Sequence, residues 1–138
     1  FQSVKLWYAD MRDSVIRNAD FSGAKLGEAN LLEADLTNTD LSLSKVYKTS
    51  FQFADISGTD LTGMEFYDNA YWTNAYYYTD NVPAWDPAMD NAWRTNAGII
   101  ALAPGSSPPY PVPEPGSFAM IMASLFFTCR WRMFRMSR

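Results

Sequence analysis

The chain contains no histidine, and its single cysteine is Cys129. Nucleophile systems built on Ser–His or Cys–His pairs therefore cannot be assembled. An internal disulfide cannot form, and a zinc site would have to be all-carboxylate. A carboxylate pair could still do acid/base work, but the acids recur at a regular spacing and no pair stands apart. Asp80, Asp86 and Asp90 lie close enough in sequence to suggest calcium. Their spacing matches no EF-hand loop, so capping or solvated roles are expected. The expectation is thus no enzyme, no metal and no cofactor. What remains for binding is an aromatic group, Trp72, Tyr77, Trp85 and Trp93 with neighbouring tyrosines, on which a sugar could stack.

Charge is unevenly distributed along the 138 residues, whose formal net charge is −4. All 15 acids precede Gly116, against seven of the 11 Lys and Arg. The last four bases, Arg130, Arg132, Arg135 and Arg138, follow with no acid among them. An acidic body with a basic tip implies two physical environments.

The acids are regular because the chain repeats. Every fifth residue from Phe1 through Leu6, Met11, Ile16 and onward to Phe66 is apolar, fourteen in succession. At this composition chance gives such a run roughly once in 10⁴ to 10⁵ trials. Two residues earlier the position is small in most units: Ala, Ser or Thr. The residue just before the large one is often acidic or amide, as at Asp10, Asp20, Asn30, Asp35, Asp40, Asp55 and Asp60. A helix repeats at about 3.6 and a strand at 2, so neither accounts for a period of five. A corner every five residues does. Four such sides close a square coil, and successive coils stack at about 4.8 Å, large residue on large and small on small.

The stretch "ADFSGAKLGEANLLEADLTNTDL" resembles the pentapeptide-repeat proteins, whose pattern is A(D/N)LXX. The resemblance covers residues 1–66 and extends toward 82. It implies an all-β solenoid, a right-handed quadrilateral β-helix. Lys25 and Lys45 depart from the pattern where Asp or Asn is usual, as do Val15 and Ser50. After Phe66 the register shifts by one, with Trp72, Tyr77 and Val82 entering the large column. One residue is therefore inserted near Tyr67–Asn69, as a bulge or looser corner requires.

A solenoid end exposes an apolar cross-section and unpaired strand edges. The aromatic cluster begins where the repeat decays, which favours a cap over a sugar platform. Asp86 as N-cap, Pro87 as first helical residue and Gly98 as stop predict a short helix over 87–96. It would lay Met89, Ala92 and Trp93 on the β-helix end. At the other end the repeat is already running at Phe1. Further coils before it, or self-association through the exposed N-terminal coil, are the expectations there.

The expected organisation is a β-helix over 1–82, a cap over 83–102, a Pro-rich linker over 103–115 and a hydrophobic, basic tail over 116–138. The linker is an extended spacer. The apolar run Phe118–Cys129 is shorter than the ~20 residues of a full span. Terminal arginines can snorkel to headgroups, so a tilted helix or an interfacial one is expected. Its basic side should be cytoplasmic. Val112-Pro113-Glu114-Pro115, then the apolar run, then the arginines, resembles the PEP-CTERM sorting signal of Gram-negative bacteria. That resemblance implies an exosortase-like processing enzyme as partner, passage through the inner membrane, and delivery to the cell surface or the medium, where exopolysaccharide is a further candidate partner. The resulting expectation is a non-enzymatic surface or matrix protein. Two alternatives stay open: an acidic DNA mimic that binds a topoisomerase, and a carbohydrate-binding surface module. The tail speaks against the former, and no nucleic acid partner is expected.

Overall fold

A computed structural model describes residues 4–109. The sorting motif Val112–Pro115 and the arginines from Arg130 to Arg138 lie outside the described residues.

From Val4 the chain makes one ladder contact and one corner in every five residues. Parallel bridges join residues twenty apart: Lys5 to Lys25 to Lys45 to Glu65, with equivalent ladders starting at Asp10, Val15 and Asp20. Four ladders mean four sides, and four rungs in each mean four stacked coils. The bonds run both ways between coils. The Leu6 N–H donates to the Lys25 carbonyl, and the Lys25 N–H to the Val4 carbonyl, each at 2.8 Å.

Each corner is a tight turn closed on the large residue, as where the Ala24 N–H donates to the Phe21 carbonyl at 2.9 Å. Its third residue has positive φ, at Tyr8, Asp13, Asn18, Glu28, Glu33, Asn38, Leu43, Lys48 and Phe53. That is the signature of a type II turn. Non-glycine residues are held there at some cost, and the ladders on both sides impose it. The corner leaves one N–H pointing outward, and the acid column satisfies it. Asp20, Asp40 and Asp60 accept from the Ser22, Ser42 and Thr62 N–H groups at 3.0, 2.9 and 2.9 Å. Such Asx turns account for the recurring Asp or Asn before the large residue.

The interior consists of two files per side. Leu26, Leu31, Leu36 and Leu41 stack under the next coil, beside Ala24, Ala29, Ala34 and Thr39. Buried threonines in the small file are satisfied by the preceding coil: Thr39, Thr49 and Thr59 donate to the carbonyls of Ile16, Leu26 and Leu36 at 2.8, 2.7 and 3.1 Å. Ser44, in the same file, is fully buried and its hydroxyl has no partner among the described residues. Large inward residues of the first coil, Leu6, Met11, Ile16 and Phe21, are only partly covered.

The fourth coil shows the expected insertion as a 3-10 helix at Tyr67–Asn69. Ladder spacing lengthens to twenty-one there, with Ser50 opposite Tyr71 and Asp55 opposite Tyr76. Two inward expectations fail. Phe66 takes a left-handed conformation and turns outward, 50% exposed. Val82 is 51% exposed, because the chain makes a second detour and Asp60 pairs with Ala84 instead. Trp85 then occupies the place above Leu61, with Pro83 buried beside it.

The cap is an aromatic lid. Trp72 stacks on Phe51 with centroids 4.4 Å apart and planes at 13°. Trp93 stands edge-on to Trp72 at 6.0 Å and to Tyr67 at 5.2 Å. Met89 is fully buried beneath. The capping helix α1 is Asn91–Ala97, shorter than the expected 87–96. Asp90 is its N-cap, accepting from the Trp93 N–H at 2.8 Å. Asp86 is drawn elsewhere: its carboxylate accepts from the Ala88 N–H and from the Gly63 N–H of the fourth coil, both at 2.9 Å. Gly98 ends α1 at φ 78°. Finally, strand β2 (Ile100–Leu102) pairs in parallel with β1 (Tyr76–Tyr78), adding one more rung to that side.

The unequal fates of the buried hydroxyls give a direct test. Ser44→Ala removes an unsatisfied buried group and should stabilise the protein by about 1 kcal/mol. Thr49→Val removes a made hydrogen bond and should destabilise by a similar amount. Urea unfolding followed by far-UV circular dichroism checks both, and a loss of stability in Ser44→Ala contradicts the assignment.

Candidate functional site: the faces of the solenoid

A residue's neighbour in space is the residue twenty positions on, so each face carries its outward side chains in vertical ladders. The Asp20–Asp40–Asp60 column forms an acidic face. Each of its carboxylates uses one oxygen on its own corner. On the adjoining side the outward residues are Lys5, Lys25 and Lys45, ending in Glu65. The lysines that break the repeat in the linear sequence thus form a ladder of their own. Its last rung is closed by an ion pair, Lys45 Nζ to Glu65 Oε2 at 2.7 Å.

A third face carries Val15, Asp35, Asp55 and Tyr76. Arg17 Nε donates to Asp35 Oδ2 at 2.6 Å. Burial pushes the Asp35 carboxyl up, but the Arg17 guanidinium and the Thr37 hydroxyl and amide outweigh it and hold it below the usual carboxylate range. Asp55, one coil on, goes the other way. Burial pushes its carboxyl above the usual range despite hydrogen bonds from Ser57, and the charge of Asp35 adds to the rise. An open groove of about 400 Å³ runs beside these groups, lined by Arg17, Asp55, Tyr78, Asp80, Asn81 and Gly105. The Tyr78 hydroxyl donates to the Ser106 carbonyl at 3.2 Å, tying the chain beyond β2 to this face.

The aromatic candidates named from the sequence fall into two contacting pairs, Trp72 with Trp93 and Tyr77 with Trp85. Trp72 is only 3% exposed, and its indole N–H donates to the Tyr67 carbonyl at 3.0 Å. Tyr77 and Trp85 meet edge to face at 5.5 Å, and the Arg94 guanidinium lies 4.7 Å from the Trp85 ring centre. The Trp93 indole N–H donates to Asp68 Oδ1 at 2.7 Å. These rings are engaged with each other and with the coil below, which is what capping requires. Asp86 and Asp90 serve as backbone caps. Among the described residues no cluster of His, Cys, Asp or Glu could hold a metal ion, and no helix is long and apolar enough to cross a membrane. The lysine ladder was not singled out from the sequence. The signal was present, since Lys5, Lys25 and Lys45 are twenty apart, but only the coil length reveals it.

Stacked four-sided coils, an aromatic lid and ladder-bearing faces define a β solenoid. A family model for pentapeptide repeats matches residues 1–31 and 28–63, with eight copies. Residues 1–63 thus carry pentapeptide repeats. Among solved structures the chain is similar to a pentapeptide repeat protein from Nostoc Pcc 7120, with 26% identity, 74% of this chain and 84% of that one covered, and a TM-score of 0.46. It is also similar to a pentapeptide repeat protein of the Arabidopsis thaliana thylakoid lumen, with 25% identity, 70% and 71% coverage, and a TM-score of 0.42. No curated protein sequence matches the chain.

The two neighbouring aspartates should respond oppositely to pH. Asp35, depressed in the folded state, adds stability above the ordinary carboxylate pKa of about 3.9. That contribution is lost as pH falls through its folded value. Asp55, raised in the folded state, costs stability when ionised, and the cost is relieved as pH falls through its folded value. Asp55→Asn should therefore raise the urea midpoint at neutral pH, with the gain fading on acidification. Asp35→Asn should lower it, by under about 1 kcal/mol, because the Arg17 partner stands largely in water. Denaturant titrations across the acid range measure both signs.

Proposed function

We propose that the protein is a non-enzymatic exported rod, a right-handed quadrilateral β-helix presented at the surface or in the extracellular matrix of a Gram-negative bacterium. Residues 112–138 act as its address, processed by an exosortase-type enzyme with the tail transiently in the inner membrane. The observation that carries this reading is where the core stops. Among the described residues, the last buried side chain is Met89 and the last strand ends at Leu102. The lid is closed before the Pro-rich segment begins, so the coils do not need the apolar run Phe118–Cys129 as a terminal core helix. A Val-Pro-Glu-Pro motif, an apolar run and four arginines in that order then suit a sorting tail. Pentapeptide-repeat proteins are in general structural rather than enzymatic, and rigid faces of laddered side chains suit a binding or scaffolding role.

Fractionation of cells carrying the whole coding sequence, with and without an exosortase, tests the proposal. The protein should reach the envelope or medium only when the exosortase is present. Replacing Glu114 and Pro115 by alanine should leave it in the inner-membrane fraction. Recovery solely from the cytosol in both strains overturns the reading.

A further inference from the structure

The lysine ladder lies beside an unusual corner. On a rod whose lid rings are engaged, half of the large hydrophobics left exposed among the described residues gather here: Trp7, Tyr8, Tyr47 and Phe66, four of eight. Trp7 is 50% exposed, Tyr8 68%, Tyr47 40% and Phe66 50%. Trp7 lies across the next coil at Gly27, where a Cβ would stand 3.1 Å from its Cε3. One face of the indole is thus held against the rod. Tyr47 and Phe66 meet edge to face at 6.3 Å, with Lys48 Nζ 5.3 Å from the Tyr47 ring centre. Clustered exposed aromatics on a rigid surface mark a binding site more often than chance.

The ladder itself supplies the charge. Among the described residues neither Lys5 nor Lys25 has a carboxylate within ion-pair distance; Lys45 alone pairs, with Glu65. Like charges stacked in register on neighbouring strands destabilise a sheet. An anionic ligand laid along the ladder would relieve that repulsion, and the rings beside it would cover the ligand's apolar side.

We propose that this face binds an anionic polysaccharide of the polyuronate type, running along the solenoid axis. The carboxylates along one edge lie on the lysine ladder, where Lys5 and Lys25 are unpaired and Lys45 is shared with Glu65, and its pyranose rings lie against Trp7, Tyr47 and Phe66. Spacing favours this ligand over a nucleic acid. Rungs of the ladder are about 4.8 Å apart; the rings of an extended 1,4-linked polyuronate advance by about that distance, with carboxylates on alternate edges, so one edge meets about every second rung. Phosphates of a stacked nucleic-acid strand rise about 3.4 Å each along the axis while winding around it, out of step with a straight ladder of lysines. The adjoining Asp20–Asp40–Asp60 face also confines an anionic ligand to one narrow strip. That the polymer is met outside the cell rests on the export reading; the binding does not.

Fluorescence titration of the purified full chain in mild detergent tests it, with three probes of matched length: alginate oligosaccharide, neutral cello-oligosaccharide and oligo(dT). Alginate should bind, and more weakly as salt is raised. The Lys5→Gln/Lys25→Gln double variant should bind alginate about tenfold more weakly, the sum of two exposed charge pairs. Tyr47→Ala should lose several-fold. Val15→Ser, on another face, should change nothing, and circular dichroism confirms that each variant keeps its fold. No alginate binding, equal affinity in the double variant, or tighter binding of oligo(dT) or the neutral sugar overturns the proposal. None of these outcomes bears on localisation, which the fractionation reads separately.

Discussion

Everything in this molecule depends on a corner that recurs every five residues. At each corner the chain must hold a left-handed residue, close a hydrogen bond onto the large inward side chain, and satisfy one outward N–H. A local segment could not hold such a run of left-handed non-glycine residues against their cost. Two ladders, one above and one below, impose it. The acid or amide before the large residue completes the arrangement by taking the stray N–H. The negative charge of the coils is therefore largely a by-product of turn chemistry. Asp20, Asp40 and Asp60 stand in a column because each of their corners needs an acceptor.

Once the corners are fixed, the interior follows with little freedom. Each side offers one large and one small place, and the coil above must repeat the choice. Where the small place is Thr, its hydroxyl finds a carbonyl one coil back. Ser44, without the threonine methyl to fix its rotamer, does not. The lid solves the end of the stack by enlarging the large file: Leu31, Phe51 and Trp72 rise in one column, and Trp93 closes over the last of them. Growth in side-chain size replaces the missing next coil.

The sequence was legible to the degree that its signals were local and periodic. The period of five set the coil, and the small and large columns set the inward faces through Leu61. The break at Tyr67–Asn69 showed as a change of register. Beyond it, tertiary contacts decided. Val82 and Trp85 are both apolar, and only the pairing of Asp60 with Ala84 shows that Trp85 is the inward one. Asp86 followed by Pro87 looks like a better helix start than Asp90. What takes Asp86 away is the Gly63 N–H of a coil distant in sequence, which a one-dimensional pattern does not contain. Phe66 keeps the period of five, yet turns outward because the insertion after it uses a left-handed residue at that point.

The same reasoning separates side chains that hold the rod together from those left free to meet something else. The aspartates of the acidic face are engaged: each already accepts from its own corner, and replacing one would disturb a turn before it disturbed a partner. Lys5 and Lys25 replace that acceptor with a group that can only donate, so their corners forgo the Asx bond. Their charges stand above one another without compensation, and Trp7 and Tyr47 beside them keep much of their surface in water. A fold whose local rule is met at most corners, and is set aside three times along one face, has its structural work done elsewhere. That face is where the chain departs from the demands of the coil, and such departures from local consistency are where binding is to be sought.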